Sequence, residues 1–288
     1  MNAIILAAGT SSRLVPLSYE KPKGLLEIKG EIIIERQIRQ LREAGVTDIT
    51  LVLGYKAEMF HYLIGKYNVN TVLNEDYYRY NNISSLVKVI DQIDNTFICC
   101  SDHYFSKNVF HEQPNVSYYA ALYACGKTKE YCITSDGDDW ITAVNIGGEN
   151  SWYMAGHALF THEFSERFRV LLMKTYALES MRSYYWEDVF IHHISELPMK
   201  VLRFPENEIW EFDTLDDLRK YDSNYWNDSK SAIIKHICAQ KGCDEKDLYD
   251  FRPFPSKENE AFLFRKENSL FCYNRITDII IELSQNSI

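Results

Sequence analysis

The chain has 288 residues, 46% of them hydrophobic, which supports a sizeable α/β core, alone or with an appendage, and argues against disorder. A net charge of −10 disfavours nucleic acid and anionic membrane as partners, since both need a basic surface, but leaves room for a nucleotide in a local basic pocket. No apolar run reaches a membrane-spanning length of about 18 residues, and the opening MNAIILAAGTSS lacks the basic start and long apolar run of a signal peptide.

The run AIILAA (3–8) predicts a strand buried on both faces. In 31–44, Ile34, Ile38 and Leu41 fall at helical spacing, and Gly45 ends the helix. Then come a strand at 48–55, a helix at 57–67, a strand at 70–74, a helix at 82–93 and a strand at 96–100. This alternation indicates a doubly wound, mostly parallel, Rossmann-like sheet. After about residue 115 the pattern turns antiparallel. VSYYAALY, EYCITS, WITAVNI and SWYMAGHALF read as strands, followed by helices at about 162–177 and 186–197 and short strands KVLRF and EIWEF. Thr214 with Asp217 three residues on predicts a capping box opening TLDDLRKY.

Residues 1–222 read as one domain and 223–288 as a small α+β appendage. In the appendage SKSAIIKHICAQKG is a helix stopped by Gly242, AFLFRKENSLFCYNRI a hairpin, and DIIIELSQ a last short helix or strand. The seven cysteines include no C-x-x-C. Their odd number and the lack of a signal point to reduced thiols in a cytoplasm, most of them packed as small hydrophobes.

In open α/β sheets ligands bind beyond the carboxyl ends of the strands, where three segments converge. Leu6-Ala7-Ala8-Gly9-Thr10-Ser11-Ser12-Arg13 offers backbone N–H groups, hydroxyls and a guanidinium to phosphate oxygens. Lys21-Pro22-Lys23 adds a basic pair in a stiff turn. Asp102, just after the strand at 96–100, is a carboxylate that makes sense beside a triphosphate through Mg²⁺. The first segment is neither a dinucleotide fingerprint nor a P-loop, because the glycine spacings of both are missing.

Taken together, L-A-A-G-T-x-S-R-L, then P-x-S, then K-P-K-x-L resemble the signature of nucleotidyltransferases that activate sugar phosphates and alcohol phosphates. NEDYYRYNNISSL, SDHYFSKNVF, YYWEDVF and EIWEFDTLDDLRKY narrow the resemblance, over roughly residues 1–222, to bacterial phosphocholine cytidylyltransferases. The resemblance implies a nucleotidyltransferase sheet with an antiparallel extension on the acceptor side. It implies CTP and phosphocholine as substrates and Mg²⁺ on Asp102 and Asp213. Lys23 and Arg13 fall at the phosphates, and Asn81, Asn82 and Ser85 beside the base. Glu130, Tyr131, Tyr185 and Glu187 fall around the choline group. Glu187 stands where the family has Asp, and Tyr131 where it often has Trp, which leaves ethanolamine phosphate or 2-aminoethylphosphonate open as the acceptor. A sugar-1-phosphate acceptor and a non-catalytic nucleotide-binding protein are the remaining alternatives. The appendage faintly resembles the start of a choline kinase N-lobe but has no catalytic aspartate loop, so no kinase activity is expected. A dimer contact, a docking element for a partner enzyme and a fusion remnant remain open for it.

Overall fold

The structure, a computed structural model, describes residues 1–111, 113–254 and 260–283. The chain forms two compact units. Met1–Gly9 with Ile33–Glu211 make the first, and Thr10–Ile32 with Phe212–Ile288 the second. Among the described residues, no helix is long and apolar enough to cross a membrane.

The first unit is built on a seven-stranded sheet. Its spatial order is Lys200–Arg203, Tyr118–Ser135, Ile141–Phe160, Thr96–Cys100, Asn2–Ala7, Asp48–Leu53 and Asn70–Leu73. The predicted first strand is central. It pairs in parallel with Asp48–Leu53 on one side and Thr96–Cys100 on the other, and Ala3–Ala7 are buried. A strand between two parallel neighbours with both faces covered must be apolar throughout, which AIILA satisfies. Helices Ile83–Lys88, His162–Ala177 and Trp186–His192 pack on this sheet, and Leu86, Phe164, Phe168, Trp186 and Phe190 join one core with Ile4, Ile98 and Phe160. The fold is therefore the doubly wound, mostly parallel α/β architecture read from the alternation.

Two predicted boundaries change. The four strand-like segments after residue 115 are two long strands, Tyr118–Ser135 and Ile141–Phe160, forming one antiparallel hairpin. The intervening ACGKTK and GGEN, weak strand formers, are carried by cross-strand pairing such as Lys127 opposite Glu149, through repeated register shifts. The helix expected over 186–197 stops at His192. His193 leaves helical geometry, the amides of Glu196 and Leu197 turn back onto its carbonyl, and Pro198 bars a helical residue before it.

In the second unit the Thr214 hydroxyl accepts from the Asp217 amide at 3.2 Å and caps helix Leu215–Tyr221 as predicted. Helix Ala232–Lys241 ends at Gly242, whose φ of 60° is the left-handed conformation that glycine adopts at least cost. A four-stranded antiparallel sheet follows, ordered Leu248–Pro253, Ala261–Lys266, Ser269–Asn274 and Ile279–Leu283. The last element is thus a strand, while Ser284 and Gln285 of the predicted segment lie outside the described residues. Glu20, from the signature region, binds this part of the chain directly. Its carboxylate accepts from the Ser231 hydroxyl at 2.5 Å and from the amides of Ala232 and Ile233 at 3.0 Å each.

Candidate active site

In the first unit, Leu6, Ala7, Ala8 and Gly9 lie at the carboxyl end of the central strand. Leu6 and Ala7 end that strand, with Ala8 and Gly9 beyond it. The Leu6 carbonyl accepts from the Ser101 amide and the Ala8 carbonyl from the Tyr55 amide, both at 3.0 Å, so neighbouring strand ends anchor this turn. A Cβ on Gly54 would stand 2.8 Å from the Ala8 carbonyl, so glycine is obligatory there. A Cβ on Gly9 would meet nothing within 4 Å. The protein itself does not crowd Gly9, and its exposed backbone is open to a ligand.

Asp102 lies in a tight turn between strands Thr96–Cys100 and His103–Phe105. One face of helix Ile33–Glu43 holds that turn. The Gln37 side-chain amide donates to the carbonyls of Cys100 (2.8 Å) and His103 (2.6 Å). Gln40 donates to the Phe105 carbonyl at 3.1 Å, and Arg36 to those of Phe105 and Ser106 at 2.6 and 2.8 Å. Both glutamines are buried, so their side-chain amide N–H groups are committed to these carbonyls rather than to water.

The NNISSL segment opens helix Ile83–Lys88. Asn81 donates to the Ser183 carbonyl. The Ser85 hydroxyl is buried and accepts from the Asn74 amide at 3.0 Å. Asn82 spans two elements. Its carbonyl oxygen accepts from the Trp186 backbone amide at 2.7 Å, and its amide donates to Glu187 Oε2 at 3.3 Å. The Tyr119 hydroxyl donates to Glu187 Oε1 at 3.0 Å. Burial dominates the Glu187 carboxyl and pushes its pKa up to about 7, against the lowering effect of its hydrogen bonds.

Trp186 is core, stacked on Tyr119 at 5.5 Å between centroids. Tyr185 is exposed and caps the same helix, and its amide donates to Asp188 at 2.8 Å. The Tyr131 hydroxyl donates to Asp188 Oδ1 at 3.3 Å, and burial together with that carboxylate pushes its pKa up. Glu130 is exposed beside it on the same strand.

The second unit carries the cationic residues. Thr10 and Ser12 are exposed, and Ser11 adopts a left-handed φ of 51° as the loop enters a single 3-10 turn, Ser12–Leu14. Arg13 Nη1 stands 2.9 Å from Asp213 Oδ2, and Lys23 Nζ 3.1 Å from Asp213 Oδ1. Lys23 is only 4% exposed, so its ammonium is held against that carboxylate while the Arg13 side chain remains largely in solvent. The structure therefore joins Arg13, Lys23 and Asp213 in one cluster, and Asn82 with Glu187 in another. Asp102 in the first unit and Asp213 in the second each offer carboxylate oxygens, the hard donors that magnesium takes.

Sequence reasoning missed Gln37, Asn74 and Tyr119. Only Gln37 left a signal: it is a polar residue between Ile34, Ile38 and Leu41, on the apolar face of its helix.

Residues 3–133 match the MobA-like NTP transferase domain family. The choline-phosphate cytidylyltransferase of Streptococcus pneumoniae is 31% identical over 229 residues, which cover 80% of this chain and 100% of that protein. The 2-aminoethylphosphonate cytidylyltransferase of Lancefieldella rimae is 32% identical over 228 residues, covering 78% of this chain and 93% of its own. The solved structure of the CTP:phosphocholine cytidylyltransferase from Streptococcus pneumoniae matches with a TM-score of 0.75 at 31% identity, over 77% of this chain and 98% of that one. Because the likeness runs the full length of the pneumococcal protein and extends to the fold, this chain belongs to the bacterial choline-phosphate cytidylyltransferase family and is a nucleotidyltransferase.

Proposed function

We propose that the enzyme joins CTP to phosphocholine, forming CDP-choline and releasing pyrophosphate by in-line displacement at the α-phosphorus. The observation that carries this reading is Glu187, a buried carboxylate fixed by Tyr119 and Asn82. It opens the helix capped by the exposed Tyr185. A quaternary ammonium has no N–H to donate, so aromatic faces and a carboxylate are what recognise it. A carboxyl that burial brings toward neutrality regains its charge against a fixed cation.

The attacking phosphate oxygen is already ionised near neutral pH, so no general base and no covalent enzyme intermediate are required. Catalysis is positioning and charge neutralisation. Arg13 and the amides and hydroxyls of 9–12 hold the leaving pyrophosphate. Lys23 bridges the α-phosphate and the acceptor phosphate, exchanging Asp213 for phosphate oxygens. Asn81, Asn82 and Ser85 form the base-side wall, where the buried Ser85 and the committed amide of Asn82 act by shaping it. Asp102 and Asp213 are assigned to Mg²⁺, which when bound supplies charge neutralisation at the reacting phosphate.

A 2-aminoethylphosphonate acceptor is the second reading. It is favoured by the Lancefieldella rimae relative and by the adjacent carboxylates of Glu187 and Asp188, which suit a primary ammonium. The test is pyrophosphate release with Mg²⁺, crossing CTP, UTP, ATP and dTTP with phosphocholine, phosphoethanolamine, 2-aminoethylphosphonate and glucose-1-phosphate. Release confined to CTP with phosphocholine is expected. Preference for the phosphonate selects the second reading, and release with glucose-1-phosphate overturns the assignment of Glu187.

A further inference from the structure

The turn that carries Asp102 holds a donor set that magnesium does not use. Ligand atoms of Cys100, Asp102 and His103 all lie within 4.8 Å of one another. Cys100 closes one strand and His103 opens the next, and Gln37 clamps the carbonyls of both. The three donors are therefore fixed by backbone rather than by flexible loops. His103 is buried, with Nδ1 facing Asp102 Oδ1 at 3.9 Å and Nε2 facing Glu211 Oε2 at 3.7 Å. Glu211 reaches that position because its strand, Ile209–Glu211, pairs antiparallel with His103–Phe105, placing Glu211 opposite His103. A carboxylate on the far ring nitrogen is the arrangement that orients a metal-bound histidine and raises its basicity.

Thiol and imidazole are poor magnesium ligands and good zinc ligands. Tetrahedral zinc bonds of about 2.0–2.3 Å set donors roughly 3.5 Å apart, so small side-chain rotations close the cluster.

We propose that Cys100, Asp102 and His103 form a binding site for a thiophilic divalent cation of the zinc class, oriented by Glu211, and that its occupancy takes Asp102 out of nucleotidyl transfer. On binding, the Cys100 thiol gives its proton to solvent as the sulfur–metal bond forms. The binding claim stands on the cluster alone, while the inhibitory claim also rests on the role proposed above for Asp102.

The first readout is spectroscopic. Co²⁺ titrated into the full chain under reducing conditions is expected to give tetrahedral visible bands and a thiolate-to-cobalt charge-transfer band, saturating at one equivalent and erased by Zn²⁺. Cys100→Ser abolishes the charge-transfer band and weakens zinc at least about tenfold, whereas Cys243→Ser changes neither. Glu211→Gln, which leaves the sulfur ligand in place, keeps the band and weakens zinc by about tenfold, the scale of losing an orienting carboxylate. No charge-transfer band in the wild type, or its persistence in Cys100→Ser, overturns the site. Zinc inhibition of pyrophosphate release in excess Mg²⁺ then tests the coupling. A charge-transfer band without inhibition leaves the site and overturns its link to Asp102.

Discussion

Asn82 and Glu187, 105 positions apart in the chain, are tied by a 3.3 Å hydrogen bond, while the other end of the same Asn82 amide receives the Trp186 backbone N–H. One side chain thus fastens the start of helix Trp186–His192 and one oxygen of a buried carboxylate. We expect Asn82→Ala to remove one of the two side-chain donors to Glu187, lowering stability by about 1–3 kcal/mol, the cost of stranding buried polar groups. Steady-state kinetics should show the acceptor KM rising about tenfold and the CTP KM rising less. A larger effect on CTP would assign Asn82 to the base instead.

Glu187 also sets a pH dependence. Its pKa is raised from 4.5 to about 7, with burial as the largest cause. Between those values the unfolded chain has released the proton and the folded chain retains it, so the folded state binds more protons. Stability therefore falls as pH rises through this window and levels off above it, by on the order of 3 kcal/mol. Glu187→Gln should flatten urea-melt stability between pH 5 and 8 while raising the KM for the acceptor more than for CTP. An unchanged slope would show that another group carries the titration.

Asp102→Asn keeps the shape of the turn and removes the charge. We expect kcat to fall by at least about a hundredfold, the scale of losing a key electrostatic group at a transition state, with an unaltered circular dichroism spectrum. A near-normal rate would remove Asp102 from the reaction.

Gln37 acts on Asp102 through the backbone. Gln37→Leu is nearly isosteric but leaves the Cys100 and His103 carbonyls without their side-chain donor. The expected loss is about 2–3 kcal/mol of stability and about tenfold in kcat. The kcat loss is to be read in protein shown by denaturant titration to be fully folded. A loss of stability with normal kcat would make Gln37 purely structural.

Glu20 ties the signature region to the first turn of helix Ala232–Lys241 through three accepted hydrogen bonds. An anion at a helix N-terminus is favourable both as acceptor and against the helix dipole. Glu20→Ala should cost about 1–2 kcal/mol and speed amide hydrogen exchange in residues 232–236 selectively. Uniform exchange with no local change would count against the anchoring role.

The sequence by itself determined the parts of this protein written in local chemistry. The buried central strand, the alternation that makes a parallel sheet, the Thr214 cap with Asp217 and the stop at Gly242 all follow from residues within one turn or one strand of each other. The basic and acidic residues of the signature could be named from the sequence too, but the pairing of Arg13 and Lys23 with Asp213 could not. Tertiary structure alone decided the rest. The fusion of four apparent strands into one long hairpin depends on cross-strand pairing that carries weak strand formers, which no single-strand pattern records. The commitment of Asn82 to Glu187, the clamp of Gln37 on the Asp102 turn, and the placing of Glu211 against His103 join residues 63 to 108 positions apart. Burial then turns those meetings into chemistry: the same glutamate that would titrate near 4.5 in water is brought to about 7 by its surroundings.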